Sequence, residues 1–438
     1  MKIFYALILT LVASLPARAE VEIQEVTSAG GLTAWLVEEP SIPFVAMEVR
    51  FRGGASLDDP EKRGAINLMT GLLEEGAGDL DARGFAEAQE DLASYFGFDV
   101  DRDALSVSAR FLTENREASI ALLREALVNP RFDAEAVERV RGQVLSIIQS
   151  DAKDPNDIAG RTFGEIAYGD HPYAHPVNGT LESVAALTRD DLLAAHRAVL
   201  ARDRIYIGVV GDITPEELGP MLDSLLGDLP ETGAPMPPMA DVSLPGGMTV
   251  VDFPVPQSVA LFGQKGISQS DPDFFAALIL NQVLGGGGFQ SRLMDEVREK
   301  RGLTYGVYSY LASRDLANVY MGSVSSSNDL IAEAIAVIRE EWERAATEGI
   351  TQKELEDAKT YITGSYPLRF DGNATIANIL VGMQMLGLPI DYIETRNDKV
   401  DAVTLDDVKR VAAELLEPEN LHFVVVGQPE GLQSSAGN

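Results

Sequence analysis

Few residues of this chain could perform chemistry, and an arginine and a tyrosine near position 300 stand out among them. The sequence has no cysteine and four histidines in 438 residues, which excludes thiol catalysis and cysteine metal sites. In "RLMDEVREKRGLTYGVYSYL", a charged helix is predicted to break at Gly302 and to continue as a strand carrying three tyrosines. Arg298 and Tyr305 lie on either side of that break. Both side chains are hydrogen-bond donors, so they are either a working pair or simply the ends of two elements.

The four histidines do not assemble a catalytic set. His171 and His175 have the i,i+4 spacing of a helical zinc pair, but each precedes a proline that prevents the helix, so a structural loop is predicted. His196 lies within a predicted helix and His422 within a predicted strand, where packing or surface roles are expected. The aspartates of "FDVDRDALS" lack the glycine and glutamate of a calcium loop, and this segment is predicted to enter a half-buried strand.

The glycine run in "LGGGGFQSRL" allows two interpretations. It lacks the Gly-Lys-Ser/Thr ending of a phosphate-binding loop, which argues against a nucleotide site. Glycines remove side chains and allow close backbone approach. The run is therefore predicted to be either a flexible loop lining a peptide cleft or a plain connection between helices, and its members are Gly285, Gly286, Gly287 and Gly288.

Residues 1–19 have the three parts of a secretory signal: a basic start, an apolar run and a small-residue cleavage site. We expect an exported, periplasmic protein of bacterial type, with no membrane span after removal of the signal. The absence of disulfides fits a periplasmic protein held together by its core. The formal charge of −33 predicts repulsion of nucleic acid and anionic surfaces.

The length suggests two domains, and the sequence contains an internal duplication. A proline- and glycine-rich segment predicts a linker at 228–247 between an N-terminal domain at 20–227 and a C-terminal domain at 248–438. Three blocks recur in order: strand, loop and apolar helix; two amphipathic helices; and a Thr-capped helix followed by a buried strand. The predicted fold class is α+β, with two homologous domains, each a mixed sheet covered by helices, facing each other across a cleft.

"GGGGFQSRL" followed by "DEVREKRGLTYGVYS" resembles the second-domain motif of the pitrilysin/insulinase family of zinc peptidases, in its mitochondrial-processing-peptidase-like form. "RFRGGASLDDPEKRGAINLMTGLLEEGA", "HPYAHPVNGT" and the two domain endings "GVVGD" and "VVVGQ" are similar to further landmarks of that family. The resemblance covers essentially the whole mature chain. It implies the same duplicated architecture.

The family's catalytic helix carries H-x-x-E-H, in which two histidines bind zinc and the glutamate activates water. The resemblance aligns these positions with Asn67, Thr70 and Gly71, none of which can perform those roles. A later glutamate ligand is expected within "GQVLSIIQSDAKDP", where Val144 to Gln149 offers no carboxylate. The chain is therefore expected to bind no cofactor itself, with zinc held by a partner subunit.

The resemblance implies a division of labour between two subunits. Arg298 and Tyr305 match a family pair that contacts the substrate carbonyl, where developing negative charge needs donors. We expect a non-zinc subunit of a heterodimeric peptidase that binds peptide and works with an H-x-x-E-H partner. Two alternatives stay open: Arg298 and Tyr305 belong to an ordinary charged helix face and aromatic strand, or the whole chain is a non-catalytic structural or peptide-binding protein.

Overall fold

The computed structural model describes residues 22–435, so the predicted signal segment lies outside the described part of the chain. The described residues form two sheet-and-helix domains, which confirms the predicted α+β class. Each domain has its own apolar core between its sheet and its helices. None of the helices between residues 22 and 435 is long and apolar enough to cross a bilayer.

The N-terminal sheet is mixed and has six strands. These are β1 (Gln24–Thr27), β2 (Thr33–Glu38), β3 (Phe44–Arg52), β6 (Tyr95–Val100), β7 (Ala104–Leu112) and β8 (Ile205–Gly211), while β4 (Gly76–Ala77) and β5 (Leu80–Asp81) pair separately. The order across the sheet is β1-β2-β8-β3-β7-β6, with β2 and β8 parallel and the other neighbours antiparallel. In β7 the alternate residues Leu105, Val107, Ala109 and Phe111 are buried, as the alternating sequence predicts.

The C-terminal sheet repeats this arrangement with five strands. They are β9 (Met248–Asp252), β10 (Gln257–Lys265), β11 (Val307–Ser313), β12 (Asn318–Ser327) and β13 (His422–Gly427). The order is β11-β12-β10-β13-β9, with only the β13–β9 pair parallel. This order corresponds to β6-β7-β3-β8-β2 of the N-terminal sheet, and each pair of neighbouring strands has the same relative direction in both sheets. The duplication inferred from the sequence is thus present in the sheets, and β6 and β11 are equivalent edge strands.

The helices pack on these sheets in the order that the repeated blocks predict. They are α1 (Ala65–Thr70), α2 (Ala82–Asp91), α3 (Arg116–Val128), α4 (Ala134–Asp151), α5 (Pro155–Tyr168), α6 (Leu181–Ala186), α7 (Arg189–Val199), α8 (Pro215–Leu226), α9 (Phe274–Asn281), α10 (Ile331–Glu348), α11 (Gln352–Ser365), α12 (Asn373–Met385), α13 (Tyr392–Ala402) and α14 (Leu405–Leu415). The predicted threonine caps are present. Thr188 of α7 and Thr404 of α14 each form a capping box with the aspartate three residues later.

One helix of each sequence half packs on the sheet of the other half. The buried face of α5, which includes Phe163, contacts Val424 and other residues of the C-terminal sheet. Reciprocally, the face of α12 around Leu380 packs against Trp35 and Val210 of the N-terminal sheet. Each sheet is therefore covered by helices from both halves, and the two domains share apolar contacts that neither half could complete alone.

Two glycines permit this exchange. A β-carbon at Gly208 in β8 would overlap the carbonyl oxygen of Ala377 in α12, and one at Gly263 in β10 would lie 2.7 Å from Cζ of Phe163 in α5. Real β-carbons do not approach other atoms so closely, and a side chain at either site would push a helix off its sheet. A glycine in each of the two sheets thus sets the distance between that sheet and its exchanged helix.

The predicted linker, residues 228–247, contains no helix or strand. Its backbone is nevertheless bonded to both domains, since the Ala234 N–H donates to the Ala198 carbonyl of the N-terminal domain at 2.9 Å. The Ala240 N–H donates to the Leu316 carbonyl at 2.8 Å, and the Ser243 N–H donates to the Ala167 carbonyl at 3.1 Å. The first part of the segment is therefore fixed to the N-terminal domain, and its later part runs beside α5 and the C-terminal domain.

Candidate functional site

A chain reversal between Met294 and Val307 brings Arg298 and Tyr305 to the same side of the C-terminal domain. Met294–Glu299 forms a π-helical turn. The Gly302 N–H donates to the Arg298 carbonyl at 2.8 Å and closes the end of this turn. Gly302 has a φ of 66°, a left-handed conformation that favours glycine and ends the helix. The break at Gly302 predicted from the sequence is confirmed.

The prediction that the following strand carries three tyrosines is wrong for Tyr305. Strand β11 begins at Val307 and contains only Tyr308 and Tyr310. The Thr304 hydroxyl lies 2.6 Å from the Ser325 carbonyl and accepts from the Gly306 N–H at 3.0 Å, so it holds residues 304–306 in a turn before the strand starts. Tyr305 projects from that turn and is 86% exposed. It is therefore not a member of an alternating strand set.

Arg298 and Tyr305 line the same cavity, of about 440 Å³. Two residues that contact one ligand must share a cavity in this way. Ser325, Ser326 and Ser327 of β12 form another part of its lining. The Arg298 side chain is 31% exposed, so its guanidinium is accessible from solvent. Two side chains that donate hydrogen bonds, set in a lining rich in hydroxyl and backbone groups, suit a ligand oxygen such as a peptide carbonyl.

The charged neighbours of Arg298 are mostly engaged with one another. Glu296 accepts from Lys300 at 2.7 Å and from Arg301 at 2.6 Å, so these three residues form their own surface network. Arg298 contacts Glu299 at 3.3 Å, and its guanidinium carbon lies 4.6 Å from the centre of the Phe289 ring. A cation held over an aromatic face is attracted to it, so Phe289 helps to fix the direction of Arg298.

Phe289 was missed by the sequence reasoning, although it directly follows the glycine run. It is 68% exposed, which is unusual for a phenylalanine and leaves its ring available to Arg298 and to a ligand. The sequence feature that pointed to Phe289 was its position between the glycine run and the segment that carries Arg298. Sequence spacing alone could not show that the chain folds back to stack the two side chains.

The glycine run does not line the cavity of Arg298 and Tyr305. A β-carbon at Gly285 would lie 2.7 Å from the backbone nitrogen of Ser309 in β11, so this glycine serves close packing. Gly286 and Gly287 are similarly confined by Asn281 and Gln282, whereas Gly288 has open space around it. Gly287 lines a separate cavity of about 570 Å³. The run ends a π-helical segment, Gln282–Gly286, and reaches the Arg298 cavity only through Phe289.

The positions aligned with the zinc motif lie on a short helix in the N-terminal domain. Helix α1 ends at Thr70, with Gly71 as its C-cap, so Asn67 and Thr70 lie in its last turn. The Thr70 hydroxyl donates to the Ile66 carbonyl at 2.8 Å, within its own helix. The Asn67 amide donates to the Asn178 side chain at 3.2 Å. These side chains are engaged in ordinary hydrogen bonds.

The donor set around Asn67 does not fit zinc. Asn178 in turn donates to Asp151 at 3.3 Å, which links to this network a carboxylate that follows Val144–Gln149 in α4. One carboxylate and two amides do not supply the imidazole and thiolate donors that zinc prefers. Within residues 22–435, no group of three or more histidine, cysteine, aspartate or glutamate side chains could hold a metal ion. We therefore derive no zinc chemistry from this chain.

A half-buried carboxylate holds the start of the same helix. Asp58 accepts from the Gly64 N–H at 2.7 Å and from the Ile66 N–H at 2.9 Å. Burial raises the pKa of the Asp58 carboxyl to about 7, because the two backbone hydrogen bonds only partly offset the loss of water. Helix α1 is thus anchored by a structural contact and keeps its place in the fold without the metal ligands.

The histidines occupy the structural positions predicted for them. His171 and His175 flank a single 3-10 turn, Pro172–Ala174, instead of an α-helix. His196 is buried in α7 and contacts the Leu127 carbonyl at 2.9 Å. His422 is buried in β13. Burial lowers the pKa of the His196 and His422 imidazoles, so both favour the neutral form.

Comparison with known families decides the relationship. The model described as "Insulinase (Peptidase family M16)" matches residues 34–181, and the model described as "Peptidase M16 inactive domain" matches residues 186–362. A crystal structure of a peptidase M16 inactive domain from Pseudomonas fluorescens is 30% identical, with a TM-score of 0.85, and the match covers 94% of this chain and 99% of that one. The chain belongs to peptidase family M16. The resemblance drawn from its motifs is confirmed.

Two further relatives illustrate the range of M16 chains to which this one is similar. A Helicobacter pylori protein named "Non-peptidase homolog YmxG" is 28% identical over 390 residues, covering 89% of this chain and 90% of the relative. A Bacillus subtilis protein named "Uncharacterized zinc protease YmxG" is 25% identical over 409 residues, covering 90% of this chain and 95% of the relative. The M16 relationship thus spans both domains.

Proposed function

We propose that this M16 chain is the non-zinc subunit of a heterodimeric metallopeptidase. In this proposal it binds peptide substrate, supplies Arg298 and Tyr305, and works with an H-x-x-E-H partner that provides the zinc and the general base. The observation that carries the proposal is the common cavity of Arg298 and Tyr305. Both donors face solvent from one site, while the metal-motif positions of the same chain are occupied by residues that cannot hold zinc.

The chemistry of the two donors supports this assignment. In peptide hydrolysis, negative charge develops on the carbonyl oxygen, and fixed donors aimed at that oxygen stabilise the transition state. The guanidinium offers several N–H donors in one plane, and the phenol offers one O–H donor. Neither donor needs a metal on its own chain. A partner that completes the site can therefore leave these two groups on this subunit.

We also propose that the chain is exported and that its charge favours certain peptides. The signal-like residues 1–19 favour a periplasmic location in a bacterium. The large negative charge would attract basic peptides and repel nucleic acid. These are proposals about location and steering, and they do not specify the cleaved bond.

A second candidate function is a non-catalytic structural or peptide-binding role. The name of the Helicobacter pylori relative, a non-peptidase homolog, supports it, as does the word "inactive" in the matching family description. In that case Arg298 and Tyr305 would bind a peptide or a partner without accelerating hydrolysis. The two candidates differ in whether activity arises when a zinc-bearing M16 chain is added.

The test uses a quenched fluorogenic peptide library with the purified mature chain, a zinc-bearing M16 chain from the same organism, and their mixture. We expect hydrolysis in the mixture that exceeds the sum of the separate rates and that a chelator abolishes. Arg301→Ala is the matched control for Arg298→Ala. Arg301 lies near Arg298 in sequence, but it pairs with Glu296 and does not line the cavity. Chelator-sensitive hydrolysis by the purified chain alone would contradict the proposal, and additive rates in the mixture would favour the second candidate.

A further inference from the structure

The outer strand β9 of the C-terminal sheet lacks a neighbour that its counterpart in the N-terminal sheet has. Strand β9 corresponds to β2, and β2 is covered on its outer side by β1, which pairs with it antiparallel. In the part of the chain that the structure describes, no strand takes the place of β1 beside β9. An uncovered strand edge presents backbone groups that can pair with another chain.

Residues 432–435 lie along the outer edge of β9 without forming a strand. The Ser435 N–H donates to the Met248 carbonyl at 2.8 Å, and the Met248 N–H donates to the Ser435 hydroxyl at 3.0 Å. The Val250 N–H donates to the Ser434 hydroxyl at 2.9 Å. Because the later residue of this segment contacts the earlier residue of β9, the segment runs antiparallel to β9, as β1 runs antiparallel to β2.

The bonded groups of β9 are those that point away from the sheet. The Phe253 N–H donates to the Gly427 carbonyl at 3.1 Å, and the Gly247 carbonyl accepts from β13 at the same distance. Alternate residues of a strand direct their backbone groups to opposite sides, so Met248 and Val250 direct theirs outward. Residues 432–435 therefore occupy the donors and acceptors that a neighbouring strand would use.

This cover is held weakly. Ser434 and Ser435 are exposed, and within the cover only Leu432 packs against the apolar core. Two of the three hydrogen bonds go to serine hydroxyls, and hydrogen bonds open to water contribute little because water can replace them. Strand β9 itself stays paired with β13 over five residues when the cover leaves.

The uncovered edge is complementary to itself. Two copies of β9 placed antiparallel, with Val250 opposite Val250, bring Asp252 of each copy opposite Met248 of the other. No two carboxylates then face each other, and the outward backbone groups of both strands meet as hydrogen-bonded pairs. Edge strands that resist pairing often carry lysine or proline, and the sequence of β9, MTVVD, contains neither. A two-fold axis through such a contact gives a closed dimer.

We infer that β9 carries a surface for association with a second copy of this chain, and that residues 432–435 cover this surface until they are displaced. The two copies join their C-terminal sheets through antiparallel β9 strands. This surface is separate from the cavity of Arg298 and Tyr305, whose lining includes no residue of β9 or of the cover. The inference does not depend on the proposed function.

The experiment compares the sedimentation velocity of the purified mature chain with that of two uncovered variants at equal concentrations. One variant ends at Gly431 and lacks the cover. The other, Ser434→Ala/Ser435→Pro, keeps Leu432 but loses all three hydrogen bonds to β9. We expect both variants to dimerise with a dissociation constant at least about tenfold lower than that of the wild-type chain. If the shorter chain does not fold by circular dichroism, the double variant decides the question.

A chain that ends at Ser435 is the matched control, because it is also shortened but keeps the cover, and it should sediment like the wild-type chain. Adding Val250→Pro to each uncovered variant should restore wild-type sedimentation. Proline is tolerated where a strand N–H faces outward, and it removes a donor that the second copy needs. Wild-type sedimentation of the folded uncovered variants would overturn the inference. Association that persists with Val250→Pro, or that appears equally in the chain ending at Ser435, would also overturn it.

Discussion

Arg298 and Tyr305 are brought together by three small local features at the residue scale. The left-handed conformation of Gly302 reverses the chain, the Thr304 hydroxyl holds the turn that follows, and the Phe289 ring supports the guanidinium. Their combined effect is to present two donors in one accessible cavity, which is what a substrate-contacting pair requires.

The contact between Phe289 and Arg298 leads to a first prediction. In the peptidase mixture, Phe289→Leu should lower kcat/KM by about two- to five-fold, because an exposed cation–π contact contributes about 0.5–1 kcal/mol. Phe289→Tyr keeps the aromatic face and should have little effect. In a chain that already carries Arg298→Ala, Phe289→Leu should cause no additional loss. A full additional loss in that background would show that Phe289 acts independently of Arg298.

A second prediction concerns the acid stability of the ion pair between Arg292 and Glu354. Arg292 donates to both carboxylate oxygens at 2.7 Å and so ties the segment after the glycine run to α11. Burial by itself would raise the pKa of Glu354, but the hydrogen bonds from Arg292 and Thr351 outweigh it and lower the pKa to about 2. Because the folded-state pKa is depressed, this stabilisation is complete above the unfolded pKa of 4.5 and is lost as the pH falls towards 2.

Arg292→Met should therefore lower the free energy of unfolding by about 1–3 kcal/mol at pH 7, the range for losing hydrogen bonds to a charged group. The difference from wild type should shrink between pH 4.5 and pH 2, as measured by urea unfolding across that range. Arg83→Met removes an exposed ion pair and should change stability by less than about 0.5 kcal/mol. A deficit that stays constant down to pH 2 would show that the pair does not hold the pKa of Glu354 low.

At the scale of elements, the two sheets are the part of the fold best predicted from the sequence. Blocks of strand, paired helices and capped helix recur in order because each block buries one apolar face in the same way, and that periodicity is visible in the sequence. The predicted strand began too early, since Thr304 is held in the preceding turn partly by a hydrogen bond to Ser325 of β12, which is distant in sequence.

The exchanged helices could not be predicted from the sequence. Phe163 and Leu380 show the periodic pattern of any buried helix face, and periodicity does not say which sheet a helix covers. The geometry around Arg298 and Tyr305 could not be predicted from the sequence for the same reason. The sequence indicated Arg298 and Tyr305 through a family motif, but the stacking of Phe289 and the network of Asn67, Asn178 and Asp151 depend on contacts between distant segments.

A third prediction tests the glycines beneath the exchanged helices. Gly263→Ala would place a methyl group 2.7 Å from the Phe163 ring, and Gly208→Ala would place one against the Ala377 carbonyl. Each should lower the free energy of unfolding by about 1–3 kcal/mol, as overpacking of a core typically does. Gly142→Ala in α4 is the control, because a β-carbon there meets no atom within 4 Å, and it should be neutral or stabilising by up to about 1 kcal/mol. Stabilisation by Gly263→Ala in urea unfolding would contradict the close packing of α5.

At the scale of the whole molecule, the exchanged helices should make the two domains unfold together. Loss of the C-terminal domain would remove α12 from the N-terminal sheet and expose Trp35 and Val210. Loss of the N-terminal domain would remove α5 and expose Val424 and its neighbours. Each domain therefore stabilises the other through apolar surface that both share, and intermediates with only one folded domain should be rare.

The two tryptophans allow a direct test of this cooperativity, which is the fourth prediction. Trp35 lies at the α12 contact of the N-terminal sheet, and Trp342 lies in the core of the C-terminal domain. Trp35→Phe and Trp342→Phe each leave a single fluorescent reporter of one domain. In each variant, the urea transition followed by fluorescence should coincide with that followed by circular dichroism. A fluorescence midpoint clearly separated from the circular dichroism midpoint would show that the domains unfold independently.

The measurement that tests the central claim most directly is the kcat of the peptidase mixture with Arg298→Ala and with Tyr305→Phe. If these residues stabilise the carbonyl oxygen in the transition state, each substitution should lower kcat by about 100-fold or more, with a smaller change in KM. Tyr308→Phe, an exposed tyrosine outside the cavity, should retain the wild-type rate. A kcat unchanged by both Arg298→Ala and Tyr305→Phe would contradict the account and leave this M16 chain a structural role.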